Sequence, residues 1–156
     1  MPADLCPLCT QAGGDLIWRG RGLRVIAVDD PDYTGFTRVV WDAHVAEMTD
    51  LAPGDRETLM QAVYTVERVM RDMLAPDKVN LAAFGNMVPH LHWHIIPRWQ
   101  GDRHFPDPYW AAPRVLPDQE PADWPMQRQA RLNRLLPFHE ALPTALDGMT
   151  QALDRA

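Results

Sequence analysis

The sequence predicts an α+β fold, in which a mostly antiparallel sheet of about five strands carries one long helix. Three observations lead to this prediction. Short runs rich in branched and aromatic residues recur along the first two thirds of the chain. The first two runs are separated only by a short glycine-containing turn, which is typical of an antiparallel hairpin. One longer segment repeats its apolar residues at helical spacing.

The first three strands are predicted at residues 16–20, 23–30 and 36–42. The runs LIWRG and LRVIAVDD flank the turn and form the hairpin. A proline and a glycine then interrupt the pattern, and FTRVVWD resumes it. Alternation along this third strand places Arg38 and Val39 on opposite faces of the sheet. The third strand therefore has one face for the core and one that carries a charge.

The segment TDLAPGDRETLMQAVYTVERVMRDML predicts a long helix from about Asp55 to Leu74. Asp55 is placed to cap its start, ahead of Thr58. Apolar residues recur three or four positions apart, which is typical of a helix face packed on a sheet. The residues of this face are Leu59, Val63, Val66, Val69 and Met70.

Two further strands follow the helix. The run VNLAAF predicts a fourth strand at residues 79–84, and HLHWHIIPR predicts a fifth at residues 90–98. The sequence GNMVP between them is typical of a turn. With the first three runs, these complete the five strands of the predicted sheet.

Beyond Arg98 the chain becomes dense in proline but keeps large aromatic side chains, which are costly to leave in water. We expect this segment to wrap over the body of the domain. In the tail, leucines at helical spacing predict a helix that stops at Pro137 and resumes after Pro143. The chain thus divides into one domain over residues 5–112 and a proline-rich and helical segment, residues 113–156, packed on it or on a partner subunit.

Composition restricts the class of protein. The chain of 156 residues has 46% hydrophobic and 23% charged residues, as in globular proteins. Its formal charge of −6 argues against a nucleic-acid partner. No segment approaches the roughly 20 apolar residues of a membrane span, and no leader pattern is evident at the start. We therefore expect a cytoplasmic protein with no membrane partner, and its two cysteines are too few for a secreted disulfide framework.

Three histidines at alternate positions dominate the fifth strand. Because side chains of a strand alternate between faces, His90, His92 and His94 emerge together while Leu91 and Trp93 point away. Three polar rings on a core face would each need a hydrogen-bond partner. Two chemistries use such a face. Imidazoles can bind a metal ion, or one neutral imidazole can attack phosphorus while its neighbours bind the phosphate oxygens. The spacing alone does not choose between them.

The motif resembles the signature of the histidine triad family of nucleotide hydrolases and transferases. HLHWHIIPR fits the pattern of alternating histidines and apolar residues at every position. FTRVVWDAHVAEMTDL resembles the family's strand, histidine and helix entry, and VNLAAFGN resembles its penultimate strand and glycine turn. IPRWQGD resembles the exit of the branch called fragile histidine triad. The likeness covers about residues 5–112, which it identifies as a HIT-like catalytic domain, and it implies a homodimer.

The resemblance implies a mechanism in which His92 is the nucleophile. A covalent nucleotidyl-histidine forms at the α-phosphate and water then hydrolyses it. His94 contacts the phosphate and the leaving group, and His90 is the third member of the triad. No cofactor is required for this step. The implied substrate is a small nucleotide, either a dinucleoside polyphosphate or a nucleoside phosphoramidate, and the product is a nucleoside monophosphate.

The resemblance also implies substrate contacts. Family positions near the phosphates, the glycine turn and the ribose match Asn80, Gly85, Asn86 and Asp29. Two positions depart from the family pattern, since Phe36 replaces a histidine and Met87 replaces a serine or threonine. We expect Arg103 and His104, which follow the motif, to supply the missing polar groups.

The pair Cys6 and Cys9 has the spacing of half a zinc site. A redox pair is the alternative, but no helix is predicted after it. Some family members combine such a pair with two histidines, which match His44 and His90, and this implies a structural zinc ion. Two other functions remain open. The three histidines could all bind one catalytic ion, or the protein could be a nucleotide sensor without turnover, as the changes at Phe36 and Met87 allow.

Overall fold

A computed structural model describes residues 1–155 and contains the predicted five-stranded sheet. The strands are β1 (Asp15–Gly20), β2 (Leu23–Ala27), β3 (Thr37–Trp41), β4 (Lys78–Ala82) and β5 (His92–Arg98). Their order across the sheet is β1, β2, β3, β5, β4, and every neighbouring pair is antiparallel. The helices are α1 (Pro7–Thr10), α2 (Pro53–Leu74) and α3 (Trp124–Leu153). The predicted α+β class is confirmed.

The β1–β2 hairpin closes through the two residues Arg21 and Gly22. Gly20 pairs with Leu23, and both loop residues have positive φ, at 50° and 74°. A two-residue loop of this kind matches the right-handed twist of the flanking strands. Gly22 adopts such a φ without steric cost, whereas Arg21 is strained. The turn therefore fixes the register of the first hairpin.

The two faces of the sheet have different roles because side chains alternate along each strand. One face packs against α2 and α3 and forms the main core, with fully buried Val25, Val39 and Ile95. Arg38 and His94 are paired across β3 and β5 and belong to the opposite face. The site residues of the triad strand thus lie on the side of the sheet away from the two long helices.

Helix α2 begins at Pro53, two residues earlier than predicted. Its N-cap is Ala52, and no side chain caps it, so the prediction that Asp55 caps the helix was wrong. Proline at the first helical position explains the earlier start, because its fixed φ suits the helix and its missing N–H needs no partner there. Asp55 lies in the first turn instead, where a carboxylate interacts favourably with the helix dipole.

The tail forms one continuous helix of 30 residues, α3, through both prolines. The predicted stop at Pro137 was therefore wrong. Phe138, Leu142 and Leu146 are fully buried in the core that α3 shares with α2 and the sheet. Burying each such side chain contributes about 1.5–3 kcal/mol, so the three together offset the roughly 3 kcal/mol that each of the two internal prolines costs. Among residues 1–155, no helix is both long and apolar enough to cross a bilayer.

Replacing the exposed Pro137 with alanine is expected to raise the free energy of unfolding by about 2 kcal/mol. The helix regains a hydrogen bond and loses a clash, and the greater freedom of the unfolded chain offsets part of this gain. Urea unfolding measures the change. Pro53→Ala is the matched control, since Pro53 lies where proline is favourable. A Pro137→Ala variant no more stable than Pro53→Ala would contradict the continuous helix.

Candidate active site

A cleft of about 820 Å³ lies over the triad strand on the face away from α2 and α3. Strands β3 and β5 provide its floor, and the turn before β5 provides one wall. The N-terminal segment and the proline-rich segment after β5 provide the rest. The lining residues are Pro7, Leu8, Gly13, Arg38, Phe84, Gly85, Asn86, Met87, Val88, His92, His94, Tyr109 and Trp110.

His92 lies in the floor with one ring nitrogen oriented by the main chain. Its Nδ1 is 2.6 Å from the carbonyl oxygen of His90. Because a carbonyl only accepts, Nδ1 carries the proton and donates, and the lone pair is left on Nε2. Burial lowers the pKa of His92 from its ordinary value, so the ring is neutral near pH 7. The side chain is 8% exposed and lines the cleft, as an attacking imidazole requires.

His94 is the second triad histidine in the cleft. Its ring centroid is 4.9 Å from that of His92, and the rings of Phe36 and Phe84 lie 5.4 Å and 5.2 Å away. Burial, reinforced by the charge of Arg38, lowers the pKa of His94 to about 3. Within the described residues neither ring nitrogen has a hydrogen-bond partner. The nitrogens of this neutral imidazole are therefore available to a polar group that enters the cleft.

The low pKa of His94 predicts a loss of stability in acid. His94 binds a proton near pH 6.5 in the unfolded state but only near pH 3 in the folded state. Its contribution to the free energy of unfolding is therefore complete above pH 6.5 and decreases as the pH falls from 6.5 toward 3. We expect His94 to lower the free energy of unfolding by about 1.3 kcal/mol between about pH 7.5 and about pH 5.5. Denaturant unfolding at both pH values, compared with His94→Gln, measures this contribution. Identical pH dependence in the two proteins would contradict it.

The predicted metal ligands, two cysteines and two histidines, lie together next to the cleft. Sγ of Cys9 is 3.2 Å from Nδ1 of His44 and 3.3 Å from Nδ1 of His90. Sγ of Cys6 is 3.5 Å from Nδ1 of His90, and the two Nδ1 atoms are 3.4 Å apart. All four ligand atoms lie within 4.8 Å of one another. His90 is fully buried in this cluster and does not line the cleft.

Main-chain carbonyl groups orient both histidines of the cluster. Nε2 of His90 is 2.6 Å from the carbonyl oxygen of Trp41, and Nε2 of His44 is 2.9 Å from that of Met1. Each Nε2 therefore carries the proton and donates, which leaves the Nδ1 lone pairs directed toward the cysteines. Burial lowers the pKa of His90 and favours its neutral form. Neutral imidazoles held in this way are typical metal ligands.

The fifth strand begins at His92, two residues later than the predicted start at His90. The N–H of His90 donates to the carbonyl of Val88 in the turn, and that of Leu91 donates to Val45. One of these bonds lies within the turn and the other reaches the distant Val45, and they take the N–H groups of the first two residues of the predicted strand. His90 is therefore free to turn toward the cysteine pair, while His92 and His94 stay in the ladder beside β3.

Of the predicted substrate contacts, Gly85 and Asn86 line the cleft, and Gly85 has the left-handed φ of 66° that this turn requires. The other four lie outside the lining. The Asn80 amide oxygen accepts from Arg98 at 2.8 Å, and Asp29 lies exposed in the loop after β2. Their roles in binding stay predictions.

Arg103 and His104 hold the proline-rich segment in place. Nε of Arg103 donates to Asp32 at 3.0 Å, and its NH2 group donates to Glu120 at 2.5 Å. Nδ1 of His104 is 2.5 Å from the hydroxyl of Tyr33. Within one subunit these two side chains are thus engaged by protein groups, and contact with a substrate stays a prediction.

Sequence reasoning did not identify several side chains of the cleft: Arg38, Phe84, Tyr109 and Trp110. Arg38 lies directly opposite His94 in the β3–β5 pairing. The sequence shows on which face of β3 Arg38 lies, but it does not show which strand lies beside β3. The rings of Phe84 and Trp110 meet edge to face at 4.7 Å, because the proline-rich segment folds back over the cleft. Only long-range folding brings these groups together.

The HIT domain family model matches residues 13–101, which is more than half of the chain. This chain belongs to the HIT family. The predicted histidine triad membership is confirmed, and the matched region contains the triad strand and His44 but not the two cysteines. The HIT match thus extends from the first hairpin through β5 and ends before the aromatic residues that cover the cleft.

Similar proteins agree with this assignment. The AP-4-A phosphorylase of Mycobacterium tuberculosis (strain ATCC 25618 / H37Rv) is 29% identical over 110 residues, or 67% of this HIT chain and 56% of that protein. The chain thus spans just over half the length of that curated relative. A histidine triad protein from Marinobacter aquaeolei VT8 is 27% identical, with a TM-score of 0.62 over 84% of this chain and 96% of that one.

A further structure shares the HIT fold over nearly its whole length. It is a histidine triad family protein from Mycobacterium smegmatis, described as Zn-bound. The TM-score is 0.59 at 22% identity, and the match covers 97% of this chain and 99% of that one. The likeness therefore includes the region of α3, beyond the part matched by the HIT family model.

Proposed function

We propose that this HIT protein transfers a nucleotidyl group through His92, cleaving the phosphorus bond next to a nucleoside monophosphate. The observation that carries the proposal is the hydrogen bond of 2.6 Å from His92 Nδ1 to the His90 carbonyl, in a ring that lines the cleft. That bond leaves Nε2 as the nucleophilic atom. It also stabilises the positive charge that the ring gains when it bonds to phosphorus.

In the first step Nε2 of His92 attacks the α-phosphorus. A nitrogen–phosphorus bond forms, the bond from phosphorus to the leaving group breaks, and its electron pair goes to the leaving group. In this proposal the N–H groups of His94 and of the glycine turn bind the phosphate oxygens, and the presence of His94 and Gly85 in the lining of one cleft supports this. The chemistry needs no cofactor for this step.

In the second step an acceptor attacks the nucleotidyl-histidine and regenerates His92. Water as the acceptor gives a nucleoside monophosphate, whereas inorganic phosphate gives a nucleoside diphosphate. The Mycobacterium tuberculosis relative is named a phosphorylase, and this supports testing both acceptors. Leu8, Val88 and the edge-to-face pair of Phe84 and Trp110 provide an apolar wall suited to a nucleobase.

We further propose that Cys6, Cys9, His44 and His90 bind a structural zinc ion. Tetrahedral zinc with bonds of about 2.3 Å to sulfur and about 2.05 Å to nitrogen requires N···N near 3.3 Å and S···N near 3.5 Å. The separations between ligand atoms are 3.4 Å for nitrogen to nitrogen and 3.2 to 3.5 Å for sulfur to nitrogen. The residues therefore fit the ion, which would hold the N-terminal segment against the triad strand.

The arrangement does not favour a single catalytic ion bound by all three triad histidines. Both ring nitrogens of His90 are engaged elsewhere, one by the carbonyl of Trp41 and the other by the cysteine cluster. Nδ1 of His92 is likewise bonded to a carbonyl. Catalysis through the imidazole of His92 uses the remaining nitrogen without rearranging either ring.

The test is to incubate the protein with diadenosine tetraphosphate or with an adenosine phosphoramidate, with and without inorganic phosphate and without added metal. We expect AMP in the absence of phosphate, and ADP in its presence if phosphate is the preferred acceptor. Chromatography identifies the products. Tight binding of AMP with no product from either substrate would instead identify a nucleotide-binding sensor. The predicted homodimer is tested separately by sedimentation velocity.

A further inference from the structure

Arg38 is the one side chain with a permanent charge among the described residues that line the cleft. It projects from β3 beside the triad strand, and its guanidinium carbon lies 5.4 Å from the centroid of the Phe36 ring. Its side chain is half-buried, and a buried charge without a partner is costly. We therefore ask whether a negatively charged ligand pairs with this guanidinium.

Arg38 has no carboxylate partner within residues 1–155, and its buried Nε has no hydrogen-bond acceptor there. Arg38 is half-buried, and the two fully buried arginines differ from it. Arg24 pairs with Asp42 at 2.7 Å, and Arg98 pairs with Asp102 at 2.6 Å. A cation without a partner lowers the stability of the fold. Its presence in the cleft therefore suggests that it has a function. Carboxylates thus neutralise the two fully buried arginines, whereas Arg38 faces the cleft without one among the described residues.

The position of Arg38 in the sheet indicates which part of a bound nucleotide it would contact. Arg38 is the direct cross-strand partner of His94, whereas His92 pairs with Val40, two residues along β3. The guanidinium carbon of Arg38 and the ring centroid of His94 each lie 5.4 Å from the centroid of the Phe36 ring, so the guanidinium lies on the His94 side of the attacking imidazole. The nitrogens of His94 are also without partners among the described residues. Two polar side chains with unpartnered nitrogens therefore lie together in the cleft, next to the attacking imidazole.

We propose that Arg38 binds the phosphate of the leaving group and makes the cleft selective for phosphoanhydrides over phosphoramidates. This inference rests on the proposed function and assigns its substrate class. Attack by His92 breaks the P–O bond, and the electron pair goes to the bridging oxygen of a departing polyphosphate. The guanidinium stabilises that negative charge, and no proton is needed. Arg38 also supplies a phosphate contact where Met87 replaces the family's hydroxyl residue.

A phosphoramidate makes the opposite demand on the site. Its amine leaves only when it is protonated, and a neighbouring cation opposes that protonated form. His94 is held neutral by its low pKa and is a poor proton donor at neutral pH. The same two side chains that assist an anionic leaving group therefore hinder an amine.

The experiment compares kcat/KM for diadenosine tetraphosphate and an adenosine phosphoramidate in wild type, Arg38→Gln and Arg38→Lys. We expect Arg38→Gln to lower the anhydride value by about 100-fold, and to lower the ratio of anhydride to phosphoramidate values at least tenfold. Arg38→Lys should recover part of that ratio. Arg68→Gln, an exposed arginine on α2, is the control. Equal losses on both substrates would overturn the proposal, because they would indicate a structural role.

A binding measurement separates this proposal from the proposed function. Calorimetry with ADP and AMP requires no turnover. We expect the second phosphate to strengthen binding about tenfold in wild type and to add nothing in Arg38→Gln. This pattern in a protein that cleaves neither substrate would refute the proposed reaction and keep Arg38 as the phosphate-binding residue. An unchanged preference for ADP in Arg38→Gln would overturn the present inference whatever the activity.

Discussion

His92→Asn is expected to lower kcat on the preferred nucleotide by about 10⁴-fold or more, because it removes the attacking nitrogen. Asparagine has nearly the size of the ring's inner half and its amide can still donate to the His90 carbonyl, which His92 Nδ1 contacts at 2.6 Å. The cleft should therefore keep its shape and its affinity for a nucleotide. Steady-state kinetics with diadenosine tetraphosphate, together with nucleotide binding, measure both effects.

The covalent intermediate provides a second measurement on the same variant. A nitrogen–phosphorus bond at His92 is labile in acid, so a denaturing quench at neutral or basic pH followed by mass spectrometry should detect the nucleotidyl adduct in wild type alone. His139→Asn is the matched control, since His139 is half-buried in α3, outside the cleft. Turnover by His92→Asn at the wild-type rate, or an adduct on another residue, would remove His92 from the mechanism.

Cys9→Ser is expected to remove bound zinc and to lower the free energy of unfolding by about 3 kcal/mol or more, since loss of a structural metal is among the most destabilising single changes. For a chain of this size the melting temperature should fall by about 6–12 °C. Cys9 is exposed, so without a metal its replacement by serine would be nearly neutral. The size of the effect thus distinguishes a zinc site from two unligated thiols.

Native mass spectrometry should show one zinc ion per chain in wild type and none in Cys9→Ser. His139→Gln, which changes a histidine outside the cluster, should keep the ion. Melting curves recorded with a chelator should bring wild type down toward the Cys9→Ser value and leave the variant unchanged. A wild-type protein that contains no zinc and melts with Cys9→Ser would contradict the proposed metal site.

The elements that sequence reasoning located well are those with a strong local pattern. The β1–β2 hairpin is determined by a two-residue turn between branched runs, and α2 by a long apolar stripe. Helix α3 was predicted to break because Pro137 disfavours a helix locally. The compensating burial of Phe138 and Leu142 depends on α2, about 70 residues earlier in the chain. Such compensation is not visible within the segment itself.

The residues of the candidate site also divide into those that a local pattern predicts and those that depend on long-range packing. His92 and His94 were predicted from their alternation in one strand, and Cys6, Cys9, His44 and His90 from ligand spacing matched to the family pattern. The structure brings both sets together. Sequence reasoning missed Arg38 because its role depends on which residue faces it across two strands separated by more than 50 positions. Arg103 and His104 contact partners distant in sequence within one subunit, and their contact with a substrate stays a prediction.

By itself the sequence determined the periodicity of each element, the neutral nucleophile candidate and the family, because these depend on residues close together in the chain. The tertiary structure alone decided which of its two predicted places His90 takes, the cysteine cluster rather than the cleft. It alone also decided that Arg38 lies beside His94 with no carboxylate partner among residues 1–155. The physical reason is that hydrogen-bond partners and counter-charges come from whichever segments packing brings into contact. A side chain's chemistry is therefore completed by neighbours that its own segment does not specify.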